Sequence, residues 1–247
     1  MVKGVVCKTT IHRFESGPRL QNKMPQKRID LKIEGSNLWY LVGLITSDGC
    51  LSSDGRHIDI TSKDYEFLKK LKDSLGIINK IGVKNRGKIN QAHYLQFSNR
   101  NLYEFFLSIG LMPNKSLSLN ELDIPQYLFV DFLRGLIDGD GSLRSWTHPT
   151  NLHEQWSLRI YSGSKTFIEW LQSKIEEYIG CRGKIHSAPR PNREHLIYTL
   201  KFGKIAAKKI LQNCYYQSAF ALERKARLAQ RCCSSCIGWR QSKTVLN

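Results

Sequence analysis

The chain has 247 residues, room for one large domain or two packed half-size units, with apolar residues at 41% and charged residues at 24%. Its charge is lopsided, 38 Lys+Arg against 21 Asp+Glu for a net +17, which suits a polyphosphate partner more than an acidic or membrane one. No apolar run approaches the roughly 18 residues of a spanning helix, and Met1–Lys8 lacks a secretory-type apolar stretch, so an intracellular protein is expected.

Residues 1–36 show no period and carry eight basic against three acidic side chains, broken by Gly17-Pro18 and Pro25. They read as a basic leader or as an arm along nucleic acid. From Ser36 or Asn37, either of which can N-cap a helix, Leu38, Leu41, Val42, Leu44 and Ile45 keep helical spacing up to Asp48-Gly49. A hairpin follows with Asp54-Gly55 as its turn. A helix is then expected from Lys63 to Leu75, stopped by Gly76, with strands at 80–86 and 93–97. A helix from Asn99 to Ile109 leads into Pro113-Asn114-Lys115.

After Pro125 the order returns. The pattern predicts a helix over 126–139, strands at 142–146 and 155–161, and a helix from Ser164 (its N-cap) to Ile179. Strands at 184–186 and 196–202, a helix over 205–215 and a last helical stretch over 219–231 complete the chain. Each half therefore reads helix–strand–strand–helix–strand–strand–helix. The seven cysteines suit free thiols in a reducing compartment. Cys233 and Cys236 have C-x-x-C spacing but lack a second ligand pair, so a frayed tail is expected there rather than zinc.

The halves share a motif. Leu41–Gly49 reads L-V-G-L-I-T-S-D-G and Leu133–Gly141 reads L-R-G-L-I-D-G-D-G, with Asp48 and Asp140 92 positions apart. Ser62-Lys63 is aligned with Ser164-Lys165, Leu75-Gly76 with Ile179-Gly180, and Phe97 with Phe202, which indicates a duplication. Gly43 and Ser47 share one helix face, as do Gly135 and Gly139, and small residues at this spacing let two helix backbones approach closely. Packed together, the helices bring Asp48 and Asp140 to one end of a seam. Two close carboxylates repel unless a proton or a divalent cation intervenes, and hard oxygen donors suit magnesium. The competing reading makes Gly49 and Gly141 left-handed C′ caps after two unremarkable acids. Asp138, which is Thr46 in the first copy, reads as exposed or beside the metal site.

Strand alternation sorts the side chains by face. With Ile58, Ile60, Ile81, Val83, Leu95 and Phe97 inward, His57, Asp59, Thr61, Lys84, Arg86, Tyr94 and Gln96 point outward. In the second half Trp156, Leu158, Ile160, Ile185 and Leu200 turn inward. Arg144, Gln155, Ser157, Arg159, Tyr161, Lys184, His186, Thr199 and Lys201 then turn outward, and Arg190 and Arg193 lie on the intervening loop. This outward set is rich in groups that bond phosphates and base edges.

Over residues 36–230 or so, the two motifs, the repeated order and the near-equal halves resemble the single-chain, two-repeat LAGLIDADG homing endonucleases. The first motif departs from the family name at Val42, Thr46 and Ser47, and the second at Arg134 and Gly139. The resemblance implies an α+β fold of two pseudo-symmetric αββαββα repeats, with paired motif helices and two antiparallel four-stranded sheets forming a DNA-binding saddle. It divides the chain into a basic extension (1–36), a first repeat (37–120), a second repeat (121–231) and a tail (232–247). It implies metal sites at Asp48 and Asp140 with the adjoining Gly49 and Gly141, and catalytic roles for both aspartates with Lys115 and Lys225. Two or three Mg²⁺ or Mn²⁺ ions would serve hydrolysis of both strands of a long asymmetric DNA target. The expected protein is a monomer of intron mobility, in cytoplasm, nucleoid or organelle matrix. The same scaffold also leaves open an RNA-binding intron maturase and a non-cleaving DNA-binding regulator.

Overall fold

The computed structural model describes residues 35–86, 90–189 and 195–236. The leader, Arg190, Arg193 and the chain beyond 236 lie outside the described residues, as does the side chain of Arg86. The first half runs α1 (Gly35–Ser47), β1 (Gly49–Leu51), β2 (His57–Ser62), α2 (Tyr65–Ser74), β3 (Ile81–Arg86), β4 (Asn90–Ser98) and α3 (Arg100–Ser108). A 3-10 turn at Gln126–Leu128 opens the second half. It continues as α4 (Phe129–Asp140), β5 (Ser142–Thr147), β6 (Glu154–Ser162), α5 (Lys165–Ile179), β7 (Lys184–Pro189), β8 (Leu196–Gly203), α6 (Lys204–Cys214) and α7 (Glu223–Ser234).

The two antiparallel sheets have matching strand orders, β1-β2-β4-β3 and β5-β6-β8-β7. This is the expected α+β architecture in two repeats. Alternation decides which face each sheet buries. Ile58, Leu95, Leu158, Ile160 and Leu200 have no exposed surface and Ile60, Phe97, Trp156 and Phe202 almost none. Val83 departs from expectation: it shares the inward face with Ile81, yet it is 48% exposed because β3 is an edge strand that outruns the helical cover.

Helix starts follow capping chemistry. The Asp64 carboxylate accepts from Phe67 N at 3.1 Å and the Ser164 hydroxyl from Phe167 N at 3.3 Å. Two residues earlier, the Ser62 and Ser162 hydroxyls accept from the N–H of Asp64 and Ser164, each at 3.1 Å. Ser62 thus corresponds to Ser162, which corrects the alignment with Ser164 by two positions. The strand pairing agrees, since Ile58 faces Phe97 as Leu158 faces Phe202. Ser36 and Asn37 lie within α1 rather than capping it.

The last helix begins at Glu223, not at residue 219, because Leu222 is extended with its N–H on Asp138. It continues past 231 because Cys232 is fully buried, and Lys208 Nζ donates to the Ser235 carbonyl. The expected fraying therefore does not hold for 232–235. Among the described residues the six cysteines are free, and no group of three or more His, Cys, Asp or Glu could hold a metal.

Candidate active site

α1 and α4 cross at their glycines. A Cβ at Gly43 would fall on the Phe132 carbonyl oxygen, and one at Gly135 on the carbonyl of Tyr40. Phe132 and Tyr40 are themselves 92 positions apart, so the contact is pseudo-symmetric. One turn on, a Cβ at Gly139 would fall on the Ser47 hydroxyl, with the Asp48 amide nitrogen 3.5 Å away. Both helices thus end at the same place. Neither following glycine is a left-handed cap: Gly141 is extended (φ −70°, ψ 142°) and Gly49 has no positive φ. Each is glycine because the chain turns straight from helix into strand. A Cβ at Gly49 would lie 2.6 Å from Ile45 Cα, and one at Gly141 2.5 Å from Ile137 O. The capping alternative fails on this geometry.

Asp48 and Asp140 are solvent-exposed at this junction. Two buried lysines reach it from the end of each repeat. Asn114, in the left-handed region at φ 56°, turns the chain so that Lys115 Nζ donates to the Gly49 carbonyl. Lys225, in the first turn of α7, donates to the carbonyls of Ile137, Asp138 and Gly139 at 2.5, 2.7 and 2.9 Å. It thereby satisfies the Asp138 and Gly139 carbonyls at the end of α4 and shares that of Ile137 with the Gly141 N–H.

The four groups share one field. Local crowding raises the Asp48 pKa by desolvation although water reaches the side chain, and Lys225, Arg224 and Lys115 oppose that rise. Burial lowers Lys115, while Cys50, Asp140 and Asp48 resist. Burial brings Lys225 down to about 8, against the pull of Asp138, Asp48 and Asp140. A cavity of about 320 Å³ opens beside Lys115 and Asp140, lined also by Ser47, Tyr161 and His195. His195 was missed in the sequence; carrying the outward alternation of Lys201 and Thr199 one residue past the start of β8 would have found it.

Two exposed carboxylates without a third acid match what magnesium asks of a protein, one or two carboxylates with the rest supplied by water and phosphate oxygens. The donors fit such an ion. The Gly49 carbonyl, expected among the metal residues, instead faces an ammonium, which disfavours a dication there. Gly141 contributes its N–H to Ile137 O at 3.0 Å. Asp138 is not exposed, as it is 2% accessible and accepts three hydrogen bonds.

On the first sheet the expected outward residues largely engage one another. Lys84 Nζ sits 3.0 Å from Asp59 and 3.0 Å from Thr61 Oγ1, and lies over the Tyr94 ring. The His57 ring meets the Asp54 carboxylate, and Gln96 is exposed. On the second sheet Arg144, Lys184 and His186 are exposed, and Gln155, Arg159, Tyr161, Thr199 and Lys201 are half-buried. Ser157 departs from expectation: it lies on the outward face but is 1% exposed, a short side chain between Gln155, Arg159 and the cross-strand Arg144. Trp146 was missed, although the same alternation points it outward beside Gln155, where it is 45% exposed.

Residues 36–110 match the family model of the LAGLIDADG-like domain. Together with the matching second half, that decides the matter. This chain has the two-repeat LAGLIDADG fold. The meganuclease I-SmaMI bound to uncleaveable DNA superposes with a TM-score of 0.54 at 15% identity, over 80% of this chain and 89% of that one. The homing endonuclease I-DmoI in complex with DNA and Ca does so with 0.52 at 20% identity, over 79% and 97%. Full-length DUF199/WhiA from Thermatoga maritima gives 0.50 at 16% identity, over 84% of this chain, which spans 63% of WhiA's own length. No curated protein sequence matches it. No helix among the described residues is long and apolar enough to cross a membrane.

Proposed function

We propose that the chain is a monomeric, site-specific DNA endonuclease that hydrolyses one phosphodiester in each strand of a long asymmetric target, in the service of intron mobility. The observation that carries this reading is the meeting of Asp48 and Asp140 at the ends of two glycine-packed helices, each end held by a buried lysine. Asp48 and Asp140 would hold Mg²⁺ or Mn²⁺ through hard carboxylate oxygens. Magnesium bound there supplies Lewis acidity toward the scissile phosphate and acidifies a water. Lys115 and Lys225 are anchored on backbone carbonyls, so their ammonium groups are in place before substrate arrives. Each can offset negative charge building on phosphorus without reorganising. The outward sheet faces supply Arg, Lys, Gln and Thr groups suited to backbone phosphates and major-groove base edges. Lacking internal symmetry in these faces, the two repeats would read different half-sites.

Incubation with Mg²⁺ and a plasmid library of randomised sites is expected to give discrete double-strand cuts. These vanish in Asp48→Asn and in Asp140→Asn. Cutting that persists in both variants refutes the catalytic assignment. The same fold in WhiA, which is not named as a nuclease, favours a second reading: a non-cleaving binder of DNA or of intron RNA. Its mark is selective retention of one nucleic acid from the library, or from structured RNA, with no strand broken.

A further inference from the structure

The two buried lysines occupy matching places, but the structure carries them there by different chemistry. On α4, Asp131, Arg134 and Asp138 follow at i, i+3 and i+7 and so share a face. All three are buried, at 4%, 0% and 2% exposure. That face grips the last residue of α6 and the connector from there to α7 at five points. Arg134 donates to the Cys214 carbonyl at 3.0 Å and to that of Phe220 at 2.9 Å. Asp131 pairs with Arg134 at 2.8 Å and accepts from the Tyr216 hydroxyl at 2.7 Å. Asp138 accepts from the Tyr215 hydroxyl at 2.6 Å and from Leu222 N at 2.7 Å. Its third bond comes across the seam from the Tyr40 hydroxyl, also at 2.7 Å. The Arg134 guanidinium lies over the rings of Tyr216 and Tyr40. Three residues after Leu222 comes Lys225, whose ammonium returns to the last carbonyls of the same helix.

In the first half the positions 92 earlier are Trp39, Val42 and Thr46. None is charged. Trp39 packs edge-on against Phe105 of α3, and the Thr46 hydroxyl bonds within its own helix to Val42 O. Lys115 is therefore delivered by apolar packing and a turn, without a polar clamp.

We propose that Asp138, supported by Asp131 and Arg134, is the positioning residue for Lys225 and hence for one of the two active sites alone. Asp138 touches no substrate; it fixes the connector that sets where α7 begins, and so where the ammonium lands. The catalytic meaning of this rests on the nuclease reading above, but the positioning does not.

Acetylation of the full-length protein with acetic anhydride, read residue by residue by mass spectrometry, separates the two. In the wild type Lys115 and Lys225 are expected to react far more slowly than the exposed Lys70. Asp138→Ala should speed Lys225 by about tenfold or more through local opening of the connector, leaving Lys115 unchanged. Continued protection of Lys225, or an equal rise at both lysines, would overturn the proposal, since general loosening moves both. Tyr215→Phe removes one bond of the three and should shift Lys225 alone, by less; it serves if Asp138→Ala does not fold. On any site the protein cuts, strand-resolved nicking should show Asp138→Ala slowing the same strand as Lys225→Met, while Lys115→Met slows the other. Equal slowing of both strands also refutes it. A wild-type protein that cuts nothing but shows the labelling pattern sinks the nuclease reading and leaves the positioning intact.

Discussion

The two repeats agree where backbones touch and differ where side chains support. At the seam, Gly43 meets the carbonyl of residue 132 just as Gly135 meets that of residue 40. Behind the seam, an apolar wall in the first repeat faces a buried ion pair with its hydroxyl partners in the second. Their sheets differ likewise. On the first, Lys84 is neutralised by Asp59; on the second, no acid accompanies Arg144, Arg159, Lys184 and Lys201 on the outward face among the described residues. The repeats share what geometry permits in only one way and differ in the rest. Contacts inherited in common should respond alike to mutation, and the divergent ones should not.

The most severe test is at the shared acids. Asp48→Asn and Asp140→Asn should each lower double-strand cleavage by about three orders of magnitude, because a carboxylate that holds a catalytic cation is worth several kcal/mol. Unequal losses in a plasmid linearisation assay would break the symmetry of the site. Next comes the support behind it. Trp39→Ala should cost about 3–5 kcal/mol through an unfilled cavity, and Asp131→Ala about as much through an unpaired Arg134. The joint replacement of Asp131 by Leu and Arg134 by Met should cost less than Asp131→Ala in urea unfolding, since it removes the unpaired guanidinium. It still strips the Cys214 and Phe220 carbonyls and the Tyr216 hydroxyl of their partners. A loss in that double variant as large as in Asp131→Ala would mean the polar clamp stabilises the fold as well as placing the connector.

Gly43→Ala and Gly135→Ala should then destabilise equally, by about 3 kcal/mol, as each forces helix backbones apart. A difference beyond about 0.5 kcal/mol would show that the seam relaxes on one side only. The smallest effect concerns salt. Binding of a non-specific duplex should lose about 0.9 from the slope of log affinity against log salt in Arg144→Ala. Lys84→Ala should change it less, because that ammonium already answers Asp59. Titration by fluorescence anisotropy from 50 to 200 mM salt measures both.

Much of this molecule was readable in advance because its signals are local or repeated. Period-2 alternation found the buried faces of β2, β4, β6 and β8. Paired small residues found the seam, and the motif's recurrence singled out Asp48 and Asp140, which stand at the ends of its two helices. What escaped depended on long-range partners. Nothing in the sequence around Asp138 says that Tyr215 and Leu222, over 75 positions away, will wrap it, so the pattern leaves open an exposed acid or one beside the metal site. Val83 and Ser157 were placed on the correct faces but with the wrong accessibility. Alternation tells which way a side chain points, while edge position and neighbour size decide what covers it. Ser62 aligns with Ser164 in sequence because the two look alike, although of the pair Ser164 alone caps a helix and the first-repeat counterpart of that cap is Asp64.

Residues 47 and 139 meet across the pseudo-dyad as a hydroxymethyl group set into a vacancy. A liberated first repeat pairing with its own twin would bring serine against serine, and a liberated second repeat would bring glycine against glycine and leave a hole. Only the mixed pairing fills the space. The join is thus keyed, and swapping halves between such proteins would have to match this lock before any question of DNA preference arises.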